Sequence, residues 1–196
     1  MRIGVDLDGV VARFNMAFAK VANQLWPGKV EPDPQPLEWD WSDLGFTEAE
    51  VDRVWAEIKR IPNWWITLPA YRENVFAIAT HRTMHPEDEI FYLTARVSSA
   101  GIPTMHQSQR WLDMCGIGGL GTAVIVKPDG VRKVSIYKRI GVTHAIDDNL
   151  PNVMEGPHII HLLDRPWNRV GREGKLYVHE SLGGFFELVN QRRDGA

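Results

Sequence analysis

The sequence predicts an α/β protein: a mostly parallel, Rossmann-like sheet flanked by helices, with a small helical unit inserted after the first strand. Three observations predict it. A short apolar, β-prone segment, Arg2 to Val5, runs out at Asp6-Leu7-Asp8-Gly9. Further apolar stretches of strand length then alternate with helical stretches, the pattern of βαβ units. Six of the eight tryptophans fall within residues 14–80, which separate the first strand from the second. The expected division is therefore 1–13 with 81–196 as the α/β core, and 14–80 as the insertion.

The opening strand carries the first candidate chemistry. Side chains alternate along a strand, so Asp6 and Asp8 can leave the same side of the chain where it emerges from the sheet, and Gly9 permits a turn there. Open α/β sheets place ligand crevices at the carboxyl ends of their strands. Two carboxylates at ~4 Å repel by about 4 kcal/mol at an effective dielectric of ~20, so such a pair shifts a pKa or recruits a hard cation such as Mg²⁺. An EF-hand loop is excluded, since its fifth and twelfth positions would be Val10 and Ala17. A plain turn after an edge strand remains the alternative at this point.

Down the chain, Phe14, Ala17, Phe18, Val21, Ala22, Leu25 and Trp26 recur at helical spacing, and Pro27-Gly28 ends that helix. Pro32, Pro34 and Pro36 with Trp39, Trp41 and Phe46 suggest a constrained loop. Thr47 and Glu50 match a capping box before a helix bearing Val51, Val54, Trp55 and Ile58. Another helix is expected from Tyr71 to Thr80. Glu89 to Leu93 is the second strand and delivers Thr94-Ala95-Arg96 at its end. Thr104 with Gln107 reads as a second capping box, for a helix to Met114. Gly116, Gly118 and Gly121 spell G-x-G-x-x-G, but after a helix and before a strand, the reverse of a dinucleotide fingerprint. Strand Ala123 to Val126 precedes Lys127; Lys133 opens a helix ending at Gly141. His144 to Asp148 is a strand terminating in acids, His158 to Leu163 another, Leu176 to Val178 a short one, and Gly183 to Gln191 a closing helix. His81 and His85 have metal-ligand spacing but lack the glutamate of a zinc hydrolase. No role beyond packing of Trp167 is legible for Asp164 to Asn168.

The bulk numbers agree. With 196 residues and 44% hydrophobic content the chain can bury a core. A net charge of -3 argues against a dedicated nucleic-acid binder. One cysteine, Cys115, excludes an intrachain disulfide framework and fits a reducing cytoplasm. No apolar run approaches a membrane span and the chain opens directly in a strand, so a soluble cytoplasmic protein is expected.

Four strand ends thus carry, in order, Asp6-Leu7-Asp8-Gly9-Val10, Leu93-Thr94-Ala95-Arg96, Lys133 or Lys127, and Ile146-Asp147-Asp148-Asn149. In this arrangement the chain resembles the haloacid dehalogenase (HAD) superfamily of phosphohydrolases over nearly its whole length. More narrowly, D-x-D-G-V and the insertion's Trp64-Trp65-Ile66-Thr67-Leu68-Pro69 resemble the cytosolic C-type 5'(3')-deoxyribonucleotidases. The resemblance implies Asp6 as nucleophile and Asp8 as general acid, then base. It implies Mg²⁺ held by Asp6, the Asp8 backbone carbonyl and Asp147, with Asp148 a ligand or one shell out. Thr94, Ala95 and Lys133 (alternatively Lys127) would bind phosphate, Arg96 would reach phosphate or sugar, and Trp64 and Trp65 would enclose a nucleobase. The implied partner is a small phosphomonoester, a nucleoside monophosphate rather than a nucleic acid polymer or membrane. Two other readings stay open: the same chemistry on another phosphomonoester such as a sugar phosphate, and a catalytically silent member binding a nucleotide or partner. Exposed cap aromatics could equally serve a homodimer interface.

Overall fold

A computed structural model describes residues 1–194. Strands β1 (Arg2–Val5), β2 (Glu89–Thr94), β3 (Thr122–Val126), β4 (His144–Asp147), β5 (Ile160–Leu163) and β6 (Val178–His179) form one sheet in the order β3-β2-β1-β4-β5-β6, with every neighbouring pair parallel. Helices α1 (Phe14–Leu25), α2 (Glu48–Arg60), α3 (Arg72–Met84), α4 (Thr104–Met114), α5 (Lys133–Arg139), α6 (Leu150–Glu155) and α7 (Leu182–Asp194) complete it. The sheet grows from β1 toward β2 and β3 on one side and from β4 toward β6 on the other. A crevice therefore opens at the carboxyl ends of β1 and β4, where Asp6 and Asp147 emerge.

Strand alternation builds a core on each face. Ile3 and Val5 pack with Phe18, Leu112 and Phe185 on one side. Leu93, Ala145 and Leu162 pack with Val134, Tyr137 and Val153 on the other. Gly4 faces the second side, and a Cβ there would lie 2.4 Å from Tyr137 Cε1. The missing side chain makes room for the Tyr137 ring.

The segment between β1 and β2 contributes α1, α2, α3 and a 3-10 turn at Trp64–Ile66. The Thr47–Glu50 capping box forms as expected, each side chain bonding the other's backbone N–H. The loop after β1 is tied back by Arg13 N–H to Pro69 O and Tyr71 N–H to Val11 O, both 2.8 Å. Helix α3 runs to Met84 and packs on α7, with His81 stacked on Phe186 at 4.2 Å. His81 bonds Asp88 at 2.9 Å.

The second expected capping box does not form. Helix α4 is preceded by Pro103 and has no side-chain cap. Gln107 is fully buried and turns away: Oε1 accepts from Trp65 N–H at 3.2 Å and Nε2 donates to Ile102 O at 2.7 Å. The Gln107 amide is also bonded to Ser99 Oγ at 3.1 Å, and leaving that buried amide unpaired costs more than a solvated helix end. The last strand lies at Val178–His179, two residues later than expected at its start, with Asp164 N–H bonded to His179 O at 2.8 Å.

Candidate active site

The residues that end β1, β2 and β4 meet the first residue of α5 at the crevice. Asp6 is fixed by its own N–H, which donates to Ile146 O at 3.0 Å. Lys133 is buried and bridges two acids, with Nζ 2.7 Å from Asp6 Oδ1 and 2.8 Å from Asp147 Oδ2. Asp147 also accepts from Asn149 N–H at 2.9 Å and from Asn152 Nδ2 at 3.3 Å. Asp148 accepts from Trp167 Nε1 at 2.9 Å on Oδ2, while its buried Oδ1 has no partner. Gly9, at φ +81°, sits against Asp148; a Cβ there would come 1.9 Å from Oδ2. The glycine that ends the opening strand thus permits both the turn and the approach of the second acidic pair.

Carboxylate oxygens of Asp6, Asp147 and Asp148 lie within 4.8 Å of one another, a group able to coordinate a divalent cation. The electrostatics fit such an ion. Burial pushes the Asp6 carboxyl well above the usual range, with Asp147, Asp148 and Asp8 reinforcing the shift and Lys133 opposing it. Burial, then Asp147, pushes Asp148 up to about 7. For Lys133 burial works against the ammonium, but Asp147 and Asp6 outweigh it and raise its pKa, so it stays charged. Asp6 and Asp147 share one ammonium with Asp148 beside them, and the surplus negative charge together with the unpartnered Asp148 oxygen matches an oxygen-seeking cation.

Asp8 stands beside this group and is the more accessible acid. Its Oδ2 accepts from Thr94 Oγ1 at 3.0 Å and from Arg96 Nε at 3.0 Å, and its Oδ1 from Arg96 Nη2 at 2.9 Å. Arg96, expected to reach phosphate or sugar, is buried and directed at Asp8. Lys127 is not brought to the acids; its Nζ lies 3.3 Å from the neighbouring Pro128 O.

Above these groups lies a cavity of about 380 Å³. Its floor includes Asp6, Asp8, Thr94, Ala95, Arg96, Lys133 and Asp148; Phe14, Phe18, Trp39, Trp41, Trp55 and Trp65 wall it. Phe14 stacks on Trp55 at 5.6 Å and on Trp65 at 6.4 Å. Trp39, 61% exposed, stands at the mouth. Trp65 lines the cavity, but Trp64, T-shaped against it at 4.7 Å, lines a separate cleft with Met16, Lys20 and Pro69. The alternation of two adjacent bulky rings in a 3-10 turn sends one to each side of α1.

Several residues here escaped the sequence reading. Trp167 supports Asp148, Asn168 Nδ2 donates to Asp148 O at 2.7 Å, and Arg165 Nε donates to Gly9 O at 2.8 Å. Their signal was positional: they follow a strand, β5, that neighbours β4. Asn15 lines the cavity with a buried amide nitrogen that has no partner.

The architecture has solved counterparts. The L-2-haloacid dehalogenase of Xanthobacter autotrophicus with chloropropionic acid covalently bound superposes with a TM-score of 0.60 at 13% identity, covering 96% of this chain and 98% of that one. This chain has the haloacid dehalogenase fold. A HAD phosphatase from Thermococcus onnurineus matches with a TM-score of 0.53 at 13% identity over 96% of this chain and 97% of that one. A HAD family hydrolase from Deinococcus radiodurans R1 with bound phosphate and sodium matches with a TM-score of 0.52 at 12% identity, over 97% and 95%. No protein-family model and no curated protein matches the sequence. Among the described residues no helix is long and apolar enough to cross a membrane.

Proposed function

We propose that the protein is a Mg²⁺-dependent phosphomonoester hydrolase of the HAD type, and more specifically a 5'(3')-deoxyribonucleotidase acting on deoxynucleoside monophosphates. The observation that carries the reading is the cavity itself: two aspartates two residues apart, a buried lysine and Asp148 at its floor, with Asp147 grouped behind them, under a wall of aromatic rings.

In this reading Asp6 attacks phosphorus through a carboxylate oxygen and the ester bond to the leaving oxygen breaks, leaving an aspartyl-phosphate. Asp8 gives a proton to the departing alkoxide and then takes one from the water that cleaves the acyl phosphate, releasing phosphate. Thr94, the Ala95 N–H and Lys133 offset charge on the phosphoryl oxygens. Mg²⁺, held by Asp6, Asp147, the Asp8 carbonyl and Asp148 directly or through water, would screen the nucleophile from the anionic substrate.

The nucleotide part of the proposal rests on the resemblance of the Trp64-to-Pro69 stretch and on the aromatic wall. Trp65, Phe14 and Trp55 line the cavity with aromatic surface suited to a base. Residues 14–80 serve as the cap in this proposal, and a cytoplasmic location, small-molecule substrates and a homodimer through cap aromatics are its corollaries. The test is phosphate release from deoxy- and ribonucleoside monophosphates and sugar phosphates, with and without Mg²⁺, and halide release from 2-chloropropionate. Selective turnover of deoxynucleotides supports the whole reading. Turnover of sugar phosphates alone overturns the nucleotide part, and halide release without phosphate release overturns the phosphatase.

A further inference from the structure

Arg96 is the most completely enclosed cation near the cavity. Its side chain has no exposed surface. One edge of the guanidinium meets Asp8, through Nε at 3.0 and 3.2 Å and Nη2 at 2.9 Å. Nη1 donates to Ser108 Oγ at 3.0 Å, and that hydroxyl donates to Thr104 O at 2.9 Å. The guanidinium carbon lies 4.8 Å from the Trp65 ring centroid and 5.5 Å from that of Trp111. Both indoles are pinned: Trp65 Nε1 donates to Val97 O at 2.9 Å, and Trp111 Nε1 to Leu68 O at 2.7 Å.

We propose that Arg96 is a positioning residue that aims the Asp8 carboxyl at the leaving-group oxygen, and that its cage of Trp65, Trp111 and Ser108 couples this aim to the seating of the 64–68 segment. The inference rests on the phosphatase reading above. A guanidinium packed against two indoles and hydrogen-bonded to Asp8 and Ser108 cannot reach a phosphoryl group without breaking its fork to Asp8, whereas Thr94 and Lys133 already line the floor. The fork holds both oxygens of the carboxyl: Oδ1 accepts from Nη2 at 2.9 Å and Nε at 3.2 Å, and Oδ2 accepts from Nε and from Thr94 Oγ1, each at 3.0 Å. Four such contacts on one carboxyl fix the direction in which it faces the cavity. Because Trp65 comes from the segment between β1 and β2 and Trp111 from α4, a substrate pressing on Trp65 acts on Asp8 through Arg96.

The test compares wild type, Arg96→Lys, Arg96→Ala and Ser108→Ala on p-nitrophenyl phosphate, whose leaving group needs little protonation, and on a deoxynucleoside 5'-monophosphate, whose alkoxide needs it. Phosphoenzyme formation is followed in single turnovers alongside steady-state kcat and KM, with thermal melting as the check on folding. The expected result for Arg96→Ala is a loss of about a hundredfold in the alkyl phosphate step, less than about tenfold for the aryl ester, KM within about threefold, and partial rescue of kcat by methylguanidinium. Ser108→Ala, which keeps the ion pair and loosens its far edge, gives a smaller loss of the same kind. Arg96→Lys, lacking the fork, does not restore the alkyl rate. A KM rise of tenfold or more with kcat unchanged makes Arg96 a phosphate ligand and overturns the proposal. Equal losses on both esters in a folded protein overturn it too. A wild type that hydrolyses neither ester overturns the phosphatase reading, and this inference with it.

Discussion

Two buried polar clusters lie on the same sheet and solve burial in opposite ways. At the carboxyl ends of β1 and β4, Asp6 and Asp147 share one ammonium, Lys133, while Asp148 beside them accepts from Trp167 on one oxygen and has no partner on the other. Across β4, β5 and β6 three imidazoles form a chain: His144 Nδ1 to His161 Nε2 at 3.4 Å, and His161 Nδ1 to His179 Nε2 at 2.9 Å. His161 is fully buried and stacks on Tyr177 at 5.0 Å. Burial, then His179, His144 and Arg192, brings its pKa down to about 3, so it stays neutral. A neutral imidazole carries one donor and one acceptor, and a row of them can satisfy itself. Carboxylates only accept, and three around one lysine leave a surplus that the protein does not meet. The histidine cluster satisfies itself within the sheet; the acidic one is a group that could coordinate a divalent cation.

The largest expected effects separate the two clusters outright. Asp6→Asn lowers turnover by at least about a thousandfold while leaving the fold intact, because a neutral isostere relieves acid crowding. His161→Phe leaves turnover within about twofold but costs about 2 kcal/mol of stability, since His144 and His179 lose their partner. Turnover assays and denaturant melts of both variants check this, and comparable turnover losses in the two would break the contrast.

A cation should act on one cluster only. Mg²⁺ at a hundredfold excess over its Kd stabilises the protein by about 2.7 kcal/mol. Asp147→Asn removes that gain in a thermal melt, and His161→Phe retains it.

The two clusters also tilt stability oppositely with pH. His161 falls from 6.5 to about 3 on folding. The unfolded chain therefore binds more protons in that window, and stability is lost as pH drops through it. Asp148 rises from 3.8 to about 7, so its contribution is full below about pH 4 and is lost as pH climbs to 7. Each slope is about 1 kcal/mol per pH unit, and they oppose one another in the metal-free protein. His161→Phe should unmask the falling slope between pH 4 and 7, and Mg²⁺ should flatten it. Denaturant melts across that range measure both; a slope of the opposite sign in His161→Phe would refute the assignment. The smallest effect is expected for Lys127→Ala. It should change stability by less than about 0.5 kcal/mol and leave turnover unaltered, since Lys127 touches neither cluster.

How far the sequence could be read depended on whether the signal was local. Thr47 and Glu50 form the capping box that their spacing promised. The same signature at Thr104 and Gln107 does not, because Gln107 is drawn into the buried contacts of Trp65 and the 97–102 loop. Trp64 and Trp65 are indistinguishable in the sequence, yet only Trp65 meets the cavity. Arg96 could have been a surface residue; its engagement with Asp8 spans 88 positions. Trp167 looked like packing until β5 placed its loop beside Asp148.

The sequence by itself determined the strand-helix alternation, the acids at the ends of β1 and β4, and the glycine turn between them, since each follows from local periodicity, propensity and the φ that Gly9 adopts. Only the tertiary structure decided which lysine reaches Asp6, which of Trp64 and Trp65 lines the cavity, and which cation grips Asp8. Those choices are made by the register of distant strands and by the need of each buried polar group for a partner, and neither is encoded within any one stretch of chain.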